Sequence, residues 1–209
     1  MTGLSHILKH KIVAIIRGAD PGDVLEIAKA LYAGGTRILE VTFNSPNALA
    51  VVKDLSVKMP EELLIGMGTV LDAATAREAI SAGAKFIISP SFNVETIQAT
   101  KELGAVSIPG AYTATEIVNA YNSGGDIIKV FPASSNVNYI KDIRAPLPHI
   151  PLMPTGGVSL ENIGEFQKAG AVAFGIGTAL VNTKEKVTGE YLKQLTEKAQ
   201  RFVQAVANL

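Results

Sequence analysis

No cysteine occurs among the 209 residues, which excludes disulfides, thiolate nucleophiles and Cys-ligated metals and is compatible with a reducing cytosol. An excess of one charge is also missing. The 19 basic residues balance 19 acidic ones with no block of like sign, so a nucleic-acid backbone has no basic surface to meet, although a small anion can still be held locally. Long apolar runs are absent as well. The stretch from Ile12 to Ile16 is closed by Arg17, too short for a signal-peptide core or a membrane span. A soluble, cytoplasmic protein with neither nucleic-acid nor membrane partners is expected. Charged residues are only 18% of the chain against 47% apolar, a balance that argues against disorder and suits an α/β protein with its sheet covered on both faces.

What is present is a repeat. Short β-branched or apolar runs begin near Ile12, Arg37, Leu63, Phe86, Ala105, Asp126, Ile150 and Val172, and most are followed by a helix-like stretch. Several strands are announced by a small residue and glycine, as in Ala33-Gly34-Gly35, Ala82-Gly83, Leu103-Gly104, Ser123-Gly124 and Ala169-Gly170, each the signature of a helix C-cap. Helix starts are marked by Asp20-Pro21, Asp72, the capping-box pattern Thr113-Ala114-Thr115-Glu116 and Ser159. No linker interrupts the series. The pattern predicts a single-domain (β/α)8 TIM barrel with short loops over residues 1–209, with residues 1–10 an N-terminal helix-like segment. The competing architecture, an open doubly wound sheet, lacks its G-x-G-x-x-G after the first strand, where Ile15-Ile16-Arg17-Gly18-Ala19-Asp20 stands instead.

Lys129 is the residue hardest to explain by packing, because it lies inside the apolar run Asp126 to Pro132. Strand lysines commonly guard sheet edges or lay their stems on apolar surface with the charge in water. Buried among Ile, Val and Phe, however, the amine loses hydration of its charged form and becomes a nucleophile toward ketones near neutral pH. Alternation along the second strand sets Ile38, Glu40 and Thr42 on one face, in the sixth it groups Ile127, Lys129 and Phe131, and in the first Val13, Ile15 and Arg17. If these faces line a lumen, Glu40 is buried near Lys129 and Arg17 stands at the rim as an anion ligand. Glu40 could otherwise be a surface carboxylate on an edge strand or a non-catalytic ion-pair partner of Lys129.

The third strand ends Gly66-Met67-Gly68-Thr69, placing a hydroxyl between glycines, and the fourth and fifth end at Pro90 and Pro109, which should stop them. After the seventh strand comes Pro154-Thr155-Gly156-Gly157-Val158-Ser159 and after the eighth Gly175-Ile176-Gly177-Thr178, adjacent loops that suit a phosphate held by backbone N–H groups. His6, His10 and His149 lie in the N-terminal segment or at a strand entrance. They are expected to be structural, and no metal site is expected.

The segments Glu40-Val41-Thr42, Gly68-Thr69-Val70, Ile128-Lys129-Val130-Phe131-Pro132 and Pro154-Thr155-Gly156-Gly157-Val158 closely resemble those of the 2-keto-3-deoxy-6-phosphogluconate / 4-hydroxy-2-oxoglutarate aldolases. The resemblance implies that Lys129 forms the Schiff base, Glu40 moves the protons, and Thr69 binds pyruvate, while Gly156, Gly157, Gly177 and Thr178 bind phosphate, Thr178 standing for a common serine. Where phosphogluconate enzymes carry an arginine for the substrate carboxylate, this chain has Asn44 in Phe43-Asn44-Ser45-Pro46, which looks like the 2-keto-3-deoxy-6-phosphogalactonate branch. Asn cannot supply a bidentate charged pair, which leaves Arg17 as the cation. The resemblance further implies a homotrimer and no cofactor.

The expected reaction cleaves the phosphorylated keto acid, in either C4 configuration, to pyruvate and D-glyceraldehyde 3-phosphate, with 4-hydroxy-2-oxoglutarate as a further substrate. Thr42, Thr69 and Thr155 would orient carboxylate and hydroxyls, while Phe131 and Pro90 keep water from the iminium. Two alternatives stay open at this level. One is a phosphosugar isomerase or epimerase with Glu40 as base, the other a non-catalytic barrel that binds a phosphorylated metabolite.

Overall fold

The structure is a computed structural model describing residues 2–134 and 136–207. Its strand segments are β1 (Ile12–Ile16), β2 (Ile38–Thr42), β3 (Leu64–Gly68), β4 (Phe86–Ile88), β5 (Val106–Ile108), β6 (Gly110–Ala111), β7 (Ile128–Val130), β8 (Leu152–Pro154) and β9 (Phe174–Ile176). Between and around them run α1 (Gly3–His10), α2 (Pro21–Ala33), α3 (Ala48–Lys58), α4 (Ala73–Ser81), α5 (Val94–Glu102), α6 (Ala114–Asn122), α7 (Val137–Arg144), α8 (Ile163–Lys168) and α9 (Gly189–Ala207).

The strands are parallel and run in the order β5-β4-β3-β2-β1-β9 and, in a second sheet, β6-β7-β8. Two joints close the sheets into one barrel. The Thr155–Gly175 bridge links the β8 side to β9, while β5 and β6 are one strand interrupted at Pro109, whose carbonyl accepts the Lys129 N–H at 2.9 Å. The chain thus forms the expected (β/α)8 barrel, with β7, β8 and β9 as its sixth, seventh and eighth strands.

Period-2 alternation sorts the side chains into two cores. Ile12, Ala14, Ile16, Leu39, Val41, Met67, Ile128, Val130, Phe174 and Ile176 point outward into the layer shared with the helices, whereas Val13, Ile38, Phe86, Ile88, Val106, Ile108, Ile127 and Met153 fill the lumen. Each fully buried Ile, Val or Phe contributes about 1.5–3 kcal/mol by leaving water. Ile7 of α1 joins the lumen cluster, and His6 of the same helix holds the Arg37 carbonyl at 3.1 Å, just before β2. Helix α1 therefore plugs the N-terminal end of the barrel. Met1, at the head of that segment, lies outside the described residues.

Most predicted helix boundaries are realised. Asp20 caps Gly22, Asp72 caps Thr75, and Thr113 with Glu116 forms the complete capping box, while all five predicted glycine turns carry a left-handed glycine, Gly35, Gly83, Gly104, Gly124 and Gly170. Three expectations need correction. Helix α8 starts at Ile163 with Asn162 before it, because the Asn162 side chain accepts from the Ser159 N–H at 2.8 Å and holds residues 159–162 as a turn. Pro109 interrupts the fifth strand without ending it, since its missing donor falls between the two paired pieces and its carbonyl stays in the ladder. The sixth, seventh and eighth strands each begin two residues later than read, at Ile128, Leu152 and Phe174, and Asp126 ahead of the first turns its carboxylate back to accept from the Ser107 N–H and from Lys101. Among the described residues, no helix is long and apolar enough to cross a membrane.

Candidate active site

Lys129 occupies the middle of β7, hydrogen-bonded strands on either side, with 3% of its surface exposed. Its Nζ lies over the Phe131 ring, 4.8 Å from the centroid. Glu40 sits in β2 between β1 and β3, entirely buried. An edge-strand position is therefore ruled out. Neither Glu40 oxygen has a hydrogen-bond partner among the described residues, so the pair is not a contact ion pair either.

The electrostatics follow from this burial. Loss of hydration raises the Glu40 pKa above the ordinary carboxyl value, and the nearby charges of Lys129 and Arg17 oppose the rise without cancelling it. Burial lowers the Lys129 pKa; Glu40 resists that fall and Arg17 adds to it. Both groups are driven toward their neutral forms.

At the rim, Arg17 follows β1 and its Nη1 donates to Asn44 Oδ1 at 3.2 Å and to Thr69 Oγ1 at 3.4 Å. Thr69 adopts φ 59°, a left-handed conformation that costs a β-branched residue of order 1–3 kcal/mol. The strained turn presents its hydroxyl to the guanidinium. Asn44 and Thr42 belong to the supporting turn: the Thr42 hydroxyl is buried and shares a 2.9 Å hydrogen bond with Ser45, whose oxygen also accepts from the Gly18 N–H at 2.8 Å.

Opposite lie the glycine loops. Gly156 and Gly157 both have φ near +80° (81° and 82°), and their carbonyls are held by the Ser134 N–H and the Asn162 side chain. The Gly177 carbonyl accepts from Leu180 and Val181, which closes the following turn. Thr155 places a buried hydroxyl, without a hydrogen-bond partner among the described residues, against Gly175.

These groups surround one cavity of about 720 Å3. Of the residues predicted from sequence, Arg17, Thr69, Pro90, Lys129, Phe131, Thr155, Gly156, Gly157, Gly177 and Thr178 line it, whereas Glu40 and Thr42 are buried outside that lining and Asn44 lies beside it, exposed and bonded to Arg17. Sequence reasoning missed Ser159, Asn182, Thr183 and Lys184 in the lining. The Thr183 hydroxyl donates to the Arg17 carbonyl at 2.6 Å, and Asn182 donates to Glu185 at 2.6 Å. The loop is thereby pinned to the end of β1, with Lys184 at the cavity wall. A lysine just past a phosphate-type glycine turn was the available signal, but loops have no periodicity to tell which way it would face.

Among the described residues, the cations Arg17 and Lys184 line the cavity beside the Lys129 amine and no Asp or Glu does, so it suits an anionic molecule. His6 and His10 lie in α1 at the opposite end, and His149 meets Tyr121 edge-on at 5.7 Å. Among the described residues no group of three or more His, Cys, Asp and Glu is placed to hold a metal ion.

Fold and site together define a barrel enzyme with its reactive groups toward the C-terminal ends of the strands. The family model described as KDPG and KHG aldolase matches residues 4–196. A 2-dehydro-3-deoxy-phosphogluconate aldolase of Pseudoalteromonas atlantica is 34% identical over 200 residues, covering 95% of this chain and 92% of the relative. The 2-dehydro-3-deoxy-6-phosphogalactonate aldolase of Escherichia coli K12 is 30% identical over 199 residues, covering 94% and 95%. Among solved structures, the Legionella pneumophila KDPG aldolase with pyruvate captured at low pH as a covalent carbinolamine intermediate superposes with a TM-score of 0.85 at 27% identity, covering 96% of this chain and 97% of that one. The chain belongs to the KDPG and KHG aldolase family and is an aldehyde-lyase.

Proposed function

We propose that the enzyme cleaves 2-keto-3-deoxy-6-phosphogluconate, or its galactonate epimer at C4, to pyruvate and D-glyceraldehyde 3-phosphate through a Schiff base on Lys129. The observation that carries this reading is a buried, charge-averse amine sharing a lumen with an unpartnered carboxyl group, at the floor of a cavity lined by cations. The relative with a pyruvate carbinolamine supports it.

In the first step neutral Lys129 attacks the C2 ketone; a C–N bond forms as the carbonyl π bond opens, and the proton lost by the nitrogen passes to the oxygen to give the carbinolamine. Glu40, whose desolvation favours the protonated form, supplies a proton to the leaving hydroxyl, directly or through one water, and water departs to give the iminium. Its carboxylate then accepts the C4 hydroxyl proton. The C3–C4 bond breaks, its electron pair flows to the iminium nitrogen, and the aldehyde leaves behind an enamine. Glu40 returns the proton to C3, and water hydrolyses the iminium to pyruvate and the free amine, the proton released restoring the Glu40 acid. Phe131, beside the amine, keeps bulk water from the iminium.

The remaining lining orients the substrate. Arg17, steadied by Asn44 and Thr69, faces the carboxylate of the keto acid, and the Thr155 hydroxyl, buried and unpartnered, meets a substrate hydroxyl. The phosphate lies between the Gly156-Gly157 and Gly177-Thr178 loops, with Lys184 as a counter-charge. The smaller 4-hydroxy-2-oxoglutarate fits the same chemistry without the phosphate contacts, giving pyruvate and glyoxylate. Assembly as a homotrimer is part of the proposal and is measured by sedimentation equilibrium.

Borohydride reduction in the presence of pyruvate, followed by peptide mass determination, tests the covalent step. A stable adduct on the peptide containing Lys129 is expected; recovery of unmodified peptide from active enzyme would sink the Schiff base. Parallel turnover of the two C4 epimers identifies the preferred substrate.

A further inference from the structure

We infer that Gly68 is a positioning residue that seats the Glu40 carboxyl group; the inference rests on the role proposed for Glu40. Gly68 ends β3 and pairs with Thr42, while Glu40 itself pairs with Gly66. The Glu40 side chain therefore leans along its strand toward the rim and lies on the residue two places further on. A Cβ at position 68 would stand 1.6 Å from Glu40 Oε1, 2.3 Å from its Cδ and 2.7 Å from its Cγ. The whole carboxyl group occupies the space where any other residue would carry its first side-chain atom.

The same arrangement recurs across the barrel. A Cβ on Gly175 would fall 2.3 Å from the Thr155 hydroxyl, and Thr155 and Gly175 are joined by the bridge that closes the sheet. Glu40 and Thr155 share a second property: their side-chain oxygens are buried and have no hydrogen-bond partner among the described residues. Each lies against a bare backbone on the neighbouring strand, free to address a bound molecule. Gly66, by contrast, makes room for packing only, because its Cβ would meet the Phe86 ring at 2.4 Å.

An added methyl at 68 collides with the free end of a flexible side chain, so the barrel absorbs it by turning Glu40 aside. Proton transfer then suffers more than folding does. A misplacement of about 1 Å in a reacting group costs on the order of 100-fold. Gly68→Ala should therefore lower kcat roughly 100-fold with little change in KM, and shift the limb of the pH–rate profile that reports Glu40.

The test compares Gly68→Ala in the wild-type and Glu40→Ala backgrounds, reading kcat, KM, the pH profile and the thermal midpoint, with Gly66→Ala as control. If Gly68 acts through Glu40, the substitution costs neither rate nor stability once Glu40 is Ala, whereas Gly66→Ala lowers the midpoint equally in both backgrounds. Equal losses from Gly68→Ala in the two backgrounds overturn the inference. So does a single variant within about twofold of wild-type turnover, a difference of only ~0.4 kcal/mol. If the single variant fails to fold, recovery of the Glu40→Ala midpoint in the double variant supports the seat, and failure of both to fold overturns it. Wild-type turnover by Glu40→Ala alone would instead remove the catalytic reading of Glu40, an outcome the stability comparison keeps separate.

Discussion

Replacing Lys129 with Met keeps the length of the aliphatic stem and deletes the nitrogen, and the sign of its effect on stability distinguishes two descriptions of the lumen. Lys129 is 3% exposed and Glu40 fully buried, with neither carboxyl oxygen bonded among the described residues. If both groups rest neutral, Met removes a desolvated amine and leaves no charge behind. Replacing a buried ion pair by apolar residues of similar volume is often neutral or worth up to about 4 kcal/mol, and removing one desolvated amine that leaves no charge behind acts in the same direction. Taking ~2 kcal/mol, the thermal midpoint should rise by about 4–8 °C at pH 7 for a chain of this size. If the two formed a buried ion pair, the same substitution would strand a carboxylate and cost about 3–5 kcal/mol. The pH dependence supplies a check. Because burial lowers the native amine pKa below 10.5, the unfolded chain binds more protons from that lowered value up to 10.5, wild-type stability rises with pH through this window, and the advantage of Met shrinks. Glu40 contributes in the opposite direction: its raised pKa means the native state keeps a proton that the unfolded chain has lost above 4.5, so stability falls as pH climbs through that interval. Thermal midpoints of the two proteins from pH 6 to 10 make the measurement, and a lower midpoint for Lys129→Met at pH 7 refutes the neutral pair.

Lys184→Met should raise KM for the phosphorylated substrate about tenfold, equivalent to ~1.4 kcal/mol, and leave an unphosphorylated analogue unaffected; steady-state kinetics on both reads the difference. His10, its pKa pushed down to about 4 chiefly by burial and then by His6, Lys9 and Arg37, should weaken the fold as pH drops from 6.5 through 4, because the unfolded chain takes up the proton first. Since the ring is half-buried, solvent screening limits this to about 1 kcal/mol, and His10→Gln should flatten the acid side of a midpoint-versus-pH curve. Thr113→Ala breaks the capping box of α6 and should cost about 1 kcal/mol without changing kcat, as denaturant unfolding and turnover would show.

The lumen was legible in the sequence because strand alternation carries a side chain's direction with it. Once Ile38 and Ile127 are placed inward, Glu40 and Lys129 follow, and the two separate cores bear out that register. Turn chemistry was readable for a similar reason: Asp72, Thr113 and the left-handed glycines act on their own neighbours. What escaped depends on partners distant in sequence or on hydrogen bonds that mimic another element. Asn162 takes the Ser159 N–H and delays α8, Asp126 leaves its strand to hold Ser107, and Lys184 reaches the cavity because Thr183 ties its loop to Arg17. Thr42 was grouped correctly with Glu40, yet the hydroxyl is engaged by Ser45.

The plug formed by α1 has a kinetic consequence. With Ile7 stopping the far end of the lumen, traffic to and from Lys129 passes through the doorway that the cavity above it provides. On the proposed chemistry, the three-carbon phosphate on the outer side must clear that doorway while pyruvate is still tethered beneath. Release is then compulsory in order, aldehyde first and keto acid last, and the reverse condensation must load pyruvate before any acceptor.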